Sequence, residues 1–275
     1  MEISMERKEY LVCVDSDGCA MDTMNVKHKF CFGPQLFNVW DLEPWRTEVL
    51  KIWDTLNLYS RTRGINRFLG LELALSTYSD MGILKEDISD LTKWVGESGE
   101  LSNRALEQKA IETNSPVLFK ALDWSNRVNE SISRLPKEDK PFPGVKEGLE
   151  EMSRAADLVV VSSANREAVE AEWSRHGFTD FLKAVMTQDM GSKARCIGLQ
   201  LEEGYDKSHV LMVGDAPGDL KAARENDVAF YPILPGKEEF SWNRLRTEAF
   251  KRLIDGTYQG EYQKQLIEEF EDLLK

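Results

Sequence analysis

The sequence predicts an α/β protein, a Rossmann-like parallel sheet interrupted after its first strand by an α-helical insertion. Three observations lead there. Five short runs, Tyr10–Val14, Leu158–Val161, Phe181–Met186, His209–Val213 and Val228–Leu234, are largely apolar, as strands covered on both faces require. Beyond residue 140 these runs alternate with helix-compatible segments, the arrangement that joins parallel strands by crossovers. Residues 22–139 hold no convincing strand run, yet carry Trp40, Trp45, Trp53, Trp94 and Trp124, most of which read as filling a helical core.

Taken in chain order, each element has a local reason. The run YLVCV at 10–14 is short, aliphatic and followed by the turn signal Asp15-Ser16-Asp17-Gly18. In the insertion, Pro34–Leu58, Asn66–Tyr78, Leu101–Ile111 and Ser115–Leu135 are helix-compatible. Residues 137–143, KEDKPFP, read as the return linker. Gly144–Ala156 follows a Pro-Phe-Pro-Gly turn, with Pro143 near the helix start. Arg166–His176 stops at Gly177, a suitable helix end. Asp219–Glu225 is followed by Asn226, which tolerates the left-handed conformation of a helix end. The tail from Gly236 reads as helical and becomes acidic toward its end. The domains expected are therefore 1–21 with 140–236 as the sheet domain, 22–139 as the helical domain, and 237–275 as a helical extension packing on the sheet domain.

Composition narrows the function. The 275 residues are 41% apolar and 30% charged, unlike a disordered tail or a membrane protein. No run approaches the ~18 apolar residues of a membrane span, and the opening MEISMERKEY lacks the apolar core of a signal peptide. A cytoplasmic protein is expected. Lysine and arginine total 35 against 48 aspartates and glutamates, a net charge of −13 that repels nucleic acid. Neither nucleic acid, membrane nor an obligate protein partner is expected. Cys13, Cys19, Cys31 and Cys196 form no CxxC, and His28, His176 and His209 are scattered. The cysteines read as reduced, mostly buried thiols and the histidines as structural or exposed, not as a zinc site.

The chemistry lies at the ends of the strand runs. Asp15 and Asp17 stand one residue apart at the mouth of the first, where two carboxylates need a compensating cation. Mg²⁺ suits such hard oxygen ligands. The fourth run ends in Gly214-Asp215-Ala216-Pro217-Gly218-Asp219, placing one carboxylate at a strand end and another in the first helical turn. In an open α/β sheet, ligands bind at the carboxyl ends of strands, so the two acidic ends can converge on one cation. Ser162-Ser163-Ala164-Asn165 ends the second run with hydroxyls and backbone N–H groups suited to phosphate, or simply to capping a helix. Lys193 follows the third run.

In this order the residues resemble the four motifs of the haloacid dehalogenase-like (HAD) superfamily, over residues 10–21 and about 140–234. The resemblance implies a phosphatase acting on a small phosphorylated metabolite. Asp15 matches the nucleophile that becomes an aspartyl phosphate, and Asp17 the general acid/base. Asp15, the Asp17 carbonyl and Asp215 match the Mg²⁺ ligands. Asp219 matches the second acidic position, which orients the metal shell or the lysine. Ser162 matches the phosphoryl-binding hydroxyl, with Ser163 and Asn165 beside it, and Lys193 the charge-balancing lysine. Ser16, where the family more often has an apolar residue, and Cys19 depart from the pattern without removing a catalytic group. The insertion stands where the family carries a C1-type helical cap. Its Arg61–Arg67 segment resembles the Gly-x-x-Arg loop of the β-phosphoglucomutase and phosphonatase branches, which implies that Arg63 and Arg67 bind substrate. Asp17 argues against a dehalogenase, and the lack of a distinctive cap lysine argues against a phosphonatase. A phosphomutase and a noncatalytic binding module remain the alternatives.

Overall fold

The computed structural model describes residues 7–135 and 139–275. These divide into two compact units, Met1–Thr23 with Glu138–Lys275, and Met24–Lys137. Part of the expected linker, residues 137 and 138, lies outside the described residues.

The first unit is built on a five-stranded, wholly parallel sheet of order β3-β2-β1-β4-β5. The strands are β1 (Tyr10–Val14), β2 (Ala156–Val161), β3 (Leu182–Met186), β4 (Val210–Gly214) and β5 (Ala229–Pro232). Their continuous apolarity follows from coverage on both faces. Val12, Val14, Leu158, Val160, Leu211 and Val213 enter one buried cluster with Trp173 and Trp242. Leu11, Cys13, Val159, Val161, Val210 and Met212 enter another with Ile197 and Leu220. Successive side chains thus go to opposite faces, the period-two rule applied to a strand with no solvent side.

The segment 237–275 belongs to this same unit. Trp242, Leu245 and Phe250 join the first cluster, and Phe270 and Leu274 the second. It also covers the β5 edge. The Gln263 carboxamide accepts from Phe230 N at 3.0 Å, and the Tyr258 hydroxyl donates to Phe230 O at 2.6 Å. Strand groups that would otherwise template pairing with another chain are satisfied internally.

One local reading needs correction. The helix 217–225 does not end on a left-handed Asn226, whose φ is −103°. Asp227 takes that conformation with φ 55°, because the Asn226 carboxamide donates to Ala194 O and Ala222 O, both at 2.9 Å. All four cysteines are buried thiols, and burial pushes the Cys13 thiol up to about 12.

The second unit is helical: Met24–Lys27, a wide turn at His28–Phe32, then Gly33–Trp40, Arg46–Leu58, Arg67–Asp80, Ser89–Glu97, Asn103–Thr113 and Pro116–Ser133. The stretch 34–58 is not one helix. Asp41 adopts φ 56°, and a tight turn at Glu43–Trp45 separates two. The helix Ser89–Glu97 has no counterpart in the sequence reading, since it buries only Leu91 and Trp94. Trp40, Trp53, Trp94 and Trp124 are buried, Trp53 and Trp124 meeting edge-on at 5.7 Å, while Trp45 is exposed. His28 accepts from Trp53 Nε1 at 3.1 Å and stacks on Phe32. No described helix is long and apolar enough to cross a membrane.

Candidate active site

The chain runs from β1 to β2 and β3 on one side of the sheet, and its later strands β4 and β5 lie on the other. Strand order therefore reverses between β1 and β4, which opens a crevice beyond their carboxyl ends. Val14 pairs with Val213, so Asp15 and Asp215 leave adjacent strands at nearly the same height. The Asp15 backbone N–H donates to Val213 O at 2.9 Å, fixing the exit of β1.

Asp219 reaches this place from the first turn of the helix Pro217–Glu225. Its Oδ2 accepts from the backbone N–H groups of Asp215 and Ala216, at 3.1 and 3.0 Å. A helix start leaves such groups without intrahelical partners, and a carboxylate there is favoured by both hydrogen bonding and the helix dipole. Gly214 makes the approach feasible: a Cβ at this position would stand 2.4 Å from the Asp219 side chain. Gly214→Ala is expected to displace Asp219 and cost about 1–3 kcal/mol as an overpacked core position does, read by denaturant unfolding. An unchanged midpoint would contradict this packing.

Lys193 opens the helix Lys193–Glu202, capped by Ser192 Oγ, which accepts from Arg195 N at 3.2 Å. Its Nζ lies 2.9 Å from Asp15 Oδ1 and 2.5 Å from Asp219 Oδ1. One buried ammonium thus joins carboxylates delivered by β1 and by the helix after β4. Burial works against the Lys193 charge, but Asp15 and Asp219 outweigh it and raise the pKa. Burial likewise raises the Asp15 carboxyl well above the usual carboxylate range; Lys193 opposes the shift, while Asp219 and Asp215 add to it.

Oxygen atoms of Asp15, Asp215 and Asp219 all lie within 4.8 Å of one another. With Lys193 the formal charge is −2, in a site where all three carboxylates are buried. An all-oxygen donor set with this excess suits a hard divalent cation. Both Asp219 oxygens already accept hydrogen bonds, from Lys193 and from the two backbone N–H groups.

The other predicted residues are placed as follows. Asp17 is partly buried in the turn after β1, and its Oδ1 accepts from the Thr23 hydroxyl. Gly18, with φ 82°, lets this turn close, its N–H donating to Met21 O at 2.9 Å. Ser162 is buried at the end of β2, held by its N–H on Met186 O at 2.9 Å. Its Oγ accepts from Ala164 N at 3.1 Å. Ser163 is exposed. The helix cap is Asn165 rather than a serine: its Oδ1 accepts from Ala168 N at 3.3 Å.

Arg63 and Arg67 belong to the helical unit. Arg63 is buried and donates to Leu58 O at 2.7 Å. Arg67 opens a helix; its Nη1 donates to Asn129 Oδ1 at 2.6 Å and Ser125 Oγ at 3.1 Å, and the guanidinium stands 5.3 Å from the Phe32 ring centre. Burial lowers its pKa. These contacts of both arginines lie within their own unit.

Trp173 and Trp242 join the site's surroundings without having stood out in the sequence, whereas Asp22-Thr23 already matches a frequent pattern of the resembled family. Thr23 meets Asp17 across the turn that follows β1, six positions on. The two tryptophans act from segments 157 and 223 residues distant from their partners.

A family model described as haloacid dehalogenase-like hydrolase matches residues 71–233. That span is more than half of the chain; it contains Ser162, Lys193, Asp215 and Asp219 and begins beyond Asp15 and Asp17. Comparison with curated proteins gives no match. Among solved structures, a presumed phosphoglycolate phosphatase from Lactobacillus delbrueckii subsp. bulgaricus is 13% identical with a TM-score of 0.51, covering 81% of this chain and 85% of its own. A predicted phosphoglycolate phosphatase from Haemophilus somnus 129PT is 14% identical, with a TM-score of 0.47 and coverage of 83% and 86%. A haloacid dehalogenase-like family hydrolase from Streptococcus pneumoniae is 12% identical, with a TM-score of 0.45 and coverage of 85% and 90%. At these identities the likeness is one of fold.

Proposed function

The chain belongs to the haloacid dehalogenase-like hydrolase family, and on that premise we propose that it is a Mg²⁺-dependent phosphatase of small phosphorylated metabolites, working through an aspartyl phosphate on Asp15. The observation that carries the reading is Lys193, set 2.9 Å from Asp15 and 2.5 Å from Asp219 in a buried cluster of three carboxylates. Such a cluster is costly to a fold and pays only where charge must be managed.

In this reading an Asp15 carboxylate oxygen attacks phosphorus, and the bond from phosphorus to the ester oxygen breaks. Asp17 gives its proton to the departing oxygen, then takes a proton from the water that attacks the acyl phosphate. Asp15 and inorganic phosphate are regenerated. The Ser162 hydroxyl donates to a phosphoryl oxygen, with Ser163 and Asn165 beside it, and Lys193 balances the negative charge of Asp15 and the phosphoryl group. Asp15, Asp215 and the Asp17 carbonyl are the groups that would hold Mg²⁺, which when bound stabilises charge on the phosphoryl oxygens. Asp219, committed at both oxygens, positions Lys193. The contacts of Arg67 with Ser125 and Asn129 support packing over substrate binding, since a substrate contact would have to replace them.

Release of phosphate from p-nitrophenyl phosphate and from a panel of phosphorylated metabolites tests the reading. Turnover is expected with Mg²⁺, to be lost with a chelator and restored by added Mg²⁺. No release from any ester overturns it. Thr23→Val should lower kcat about 10- to 100-fold, the worth of one hydrogen bond of about 1.5–3 kcal/mol to a charged group, with the melting temperature nearly unchanged. Activity within about twofold of the parent would show that Thr23 does not orient Asp17.

A further inference from the structure

The turn that carries Asp15 and Asp17 is tied down by two buried indoles from distant parts of the chain. Trp173, in the helix Arg166–Arg175, donates its Nε1–H to Ser16 Oγ at 2.9 Å. Trp242, in the helix Glu238–Arg244, donates its Nε1–H to Cys19 O at 2.9 Å. Both rings are fully buried in the cluster that covers one face of the sheet. Between the two anchors, Ser16 O accepts from the N–H groups of Cys19, Ala20 and Met21, at 3.3, 3.0 and 2.8 Å.

Each ring is packed against a close neighbour. A Cβ on Gly148 would stand 2.8 Å from the Trp242 ring, and Phe178 meets Trp173 edge-on at 6.0 Å. An indole N–H is a donor only and makes a single bond, so each ring fixes one point of the turn. The pairing also gives Ser16 a reason to be polar where an apolar residue was expected: a buried indole N–H needs an acceptor.

We propose that Trp173 and Trp242 are positioning residues, clamping the Asp15–Met21 turn so that the Asp15 and Asp17 carboxylates keep their reacting geometry. The kinetic consequence rests on the phosphatase reading; the clamp itself does not. Through Trp242, the segment 237–275 becomes part of the active-site support rather than only an edge cover.

Hydrogen exchange of peptides spanning residues 15–23, measured on the full chain, tests the clamp without reference to turnover. Trp173→Phe, Trp242→Phe and Ser16→Ala keep most of the packing while deleting one bond. Each should speed exchange of that segment about tenfold, the effect of losing one hydrogen bond of about 1 kcal/mol or slightly more, with strand Tyr10–Val14 unchanged. Exchange of that segment unchanged from the parent in all three overturns the clamp. Should a tryptophan variant fail to fold, Ser16→Ala reads the Trp173 bond from its other end.

Kinetics then separate positioning from packing. The single variants should lower kcat about tenfold with KM within about twofold. The double variant Ser16→Ala/Trp173→Phe leaves neither member of this pair as an unpaired buried polar group, so its melting temperature should return toward that of the parent while kcat stays low. Recovery of kcat together with melting temperature overturns the positioning role. Faster exchange in a protein that releases no phosphate overturns the phosphatase reading and supports the clamp.

Discussion

Asp15→Asn is expected to abolish phosphate release while leaving the fold intact. The carboxamide is nearly the same shape, so Asp15 N–H keeps its bond to Val213 O and β1 keeps its exit. It has no anionic oxygen with which to form an acyl phosphate, and the fall in kcat should be about 10⁴-fold or more, as when a nucleophile is removed elsewhere. The same change should stabilise the metal-free protein. Burial and the neighbouring Asp219 and Asp215 raise the Asp15 carboxyl, against the pull of Lys193. An acid whose folded pKa is raised contributes stability that is fully present below its unfolded pKa of about 3.9 and is lost as pH rises through the folded value. With metal chelated, the parent's melting temperature should therefore fall as pH rises above about 4, and Asp15→Asn should fall less. Melting curves across pH with chelator check the second part, and phosphate release the first. Activity within about tenfold of the parent would remove Asp15 from the nucleophile's role.

That combination, a site costly to stability yet built with care, also explains what was legible in the sequence. The strands could be read because coverage on both faces leaves their sequences continuously apolar; β1 occupies Tyr10–Val14, the residues predicted. The acidic groups could be read because a parallel sheet sends its functional residues to one end. Asp15, Asp215, Asp219 and Lys193 then meet without needing to be near in sequence. Less visible were features fixed by single tertiary contacts. The break at Asp41 has no glycine at the left-handed position, and the signal the sequence does offer is Pro44, three residues on, at the start of the next turn. The cap at Asn165 could not be told from one at Ser162, since both residue types cap helices. Arg67 resembled an anion ligand, and nothing local announces Asn129 and Ser125, some sixty residues on, as its hydrogen-bond acceptors. The bonds of Trp173 and Trp242 to the acidic turn belong to the same class: tryptophan is ordinarily core, and only coordinates reveal which N–H finds which oxygen.

Lys193→Met is expected to be nearly as damaging as the loss of Asp15, for a different reason. Methionine fills much of the lysine stem's volume but removes the ammonium that bridges Asp15 and Asp219. Losing two charged hydrogen bonds of about 1.5–3 kcal/mol each should lower kcat/KM by about 10²- to 10⁴-fold. The structural cost has the opposite sign to that of Asp15→Asn. Three buried carboxylates are left without their ammonium, and breaking a buried ion pair from one side costs about 3–5 kcal/mol. The folded protein can recover part of this only by binding a proton or a cation. Its stability should thus fall more steeply with rising pH than the parent's when metal is chelated, because the Lys193 interaction that lowers the Asp15 pKa is gone. Added Mg²⁺ should raise its melting temperature by more than it raises the parent's, since binding to the folded state alone stabilises it and the variant has one more uncompensated negative charge. Thermal melts at several pH values, with chelator and with Mg²⁺, separate the two effects. A Lys193→Met protein as stable as the parent at pH 7 under chelation, or one retaining full turnover, would show that the ammonium does not hold this cluster together.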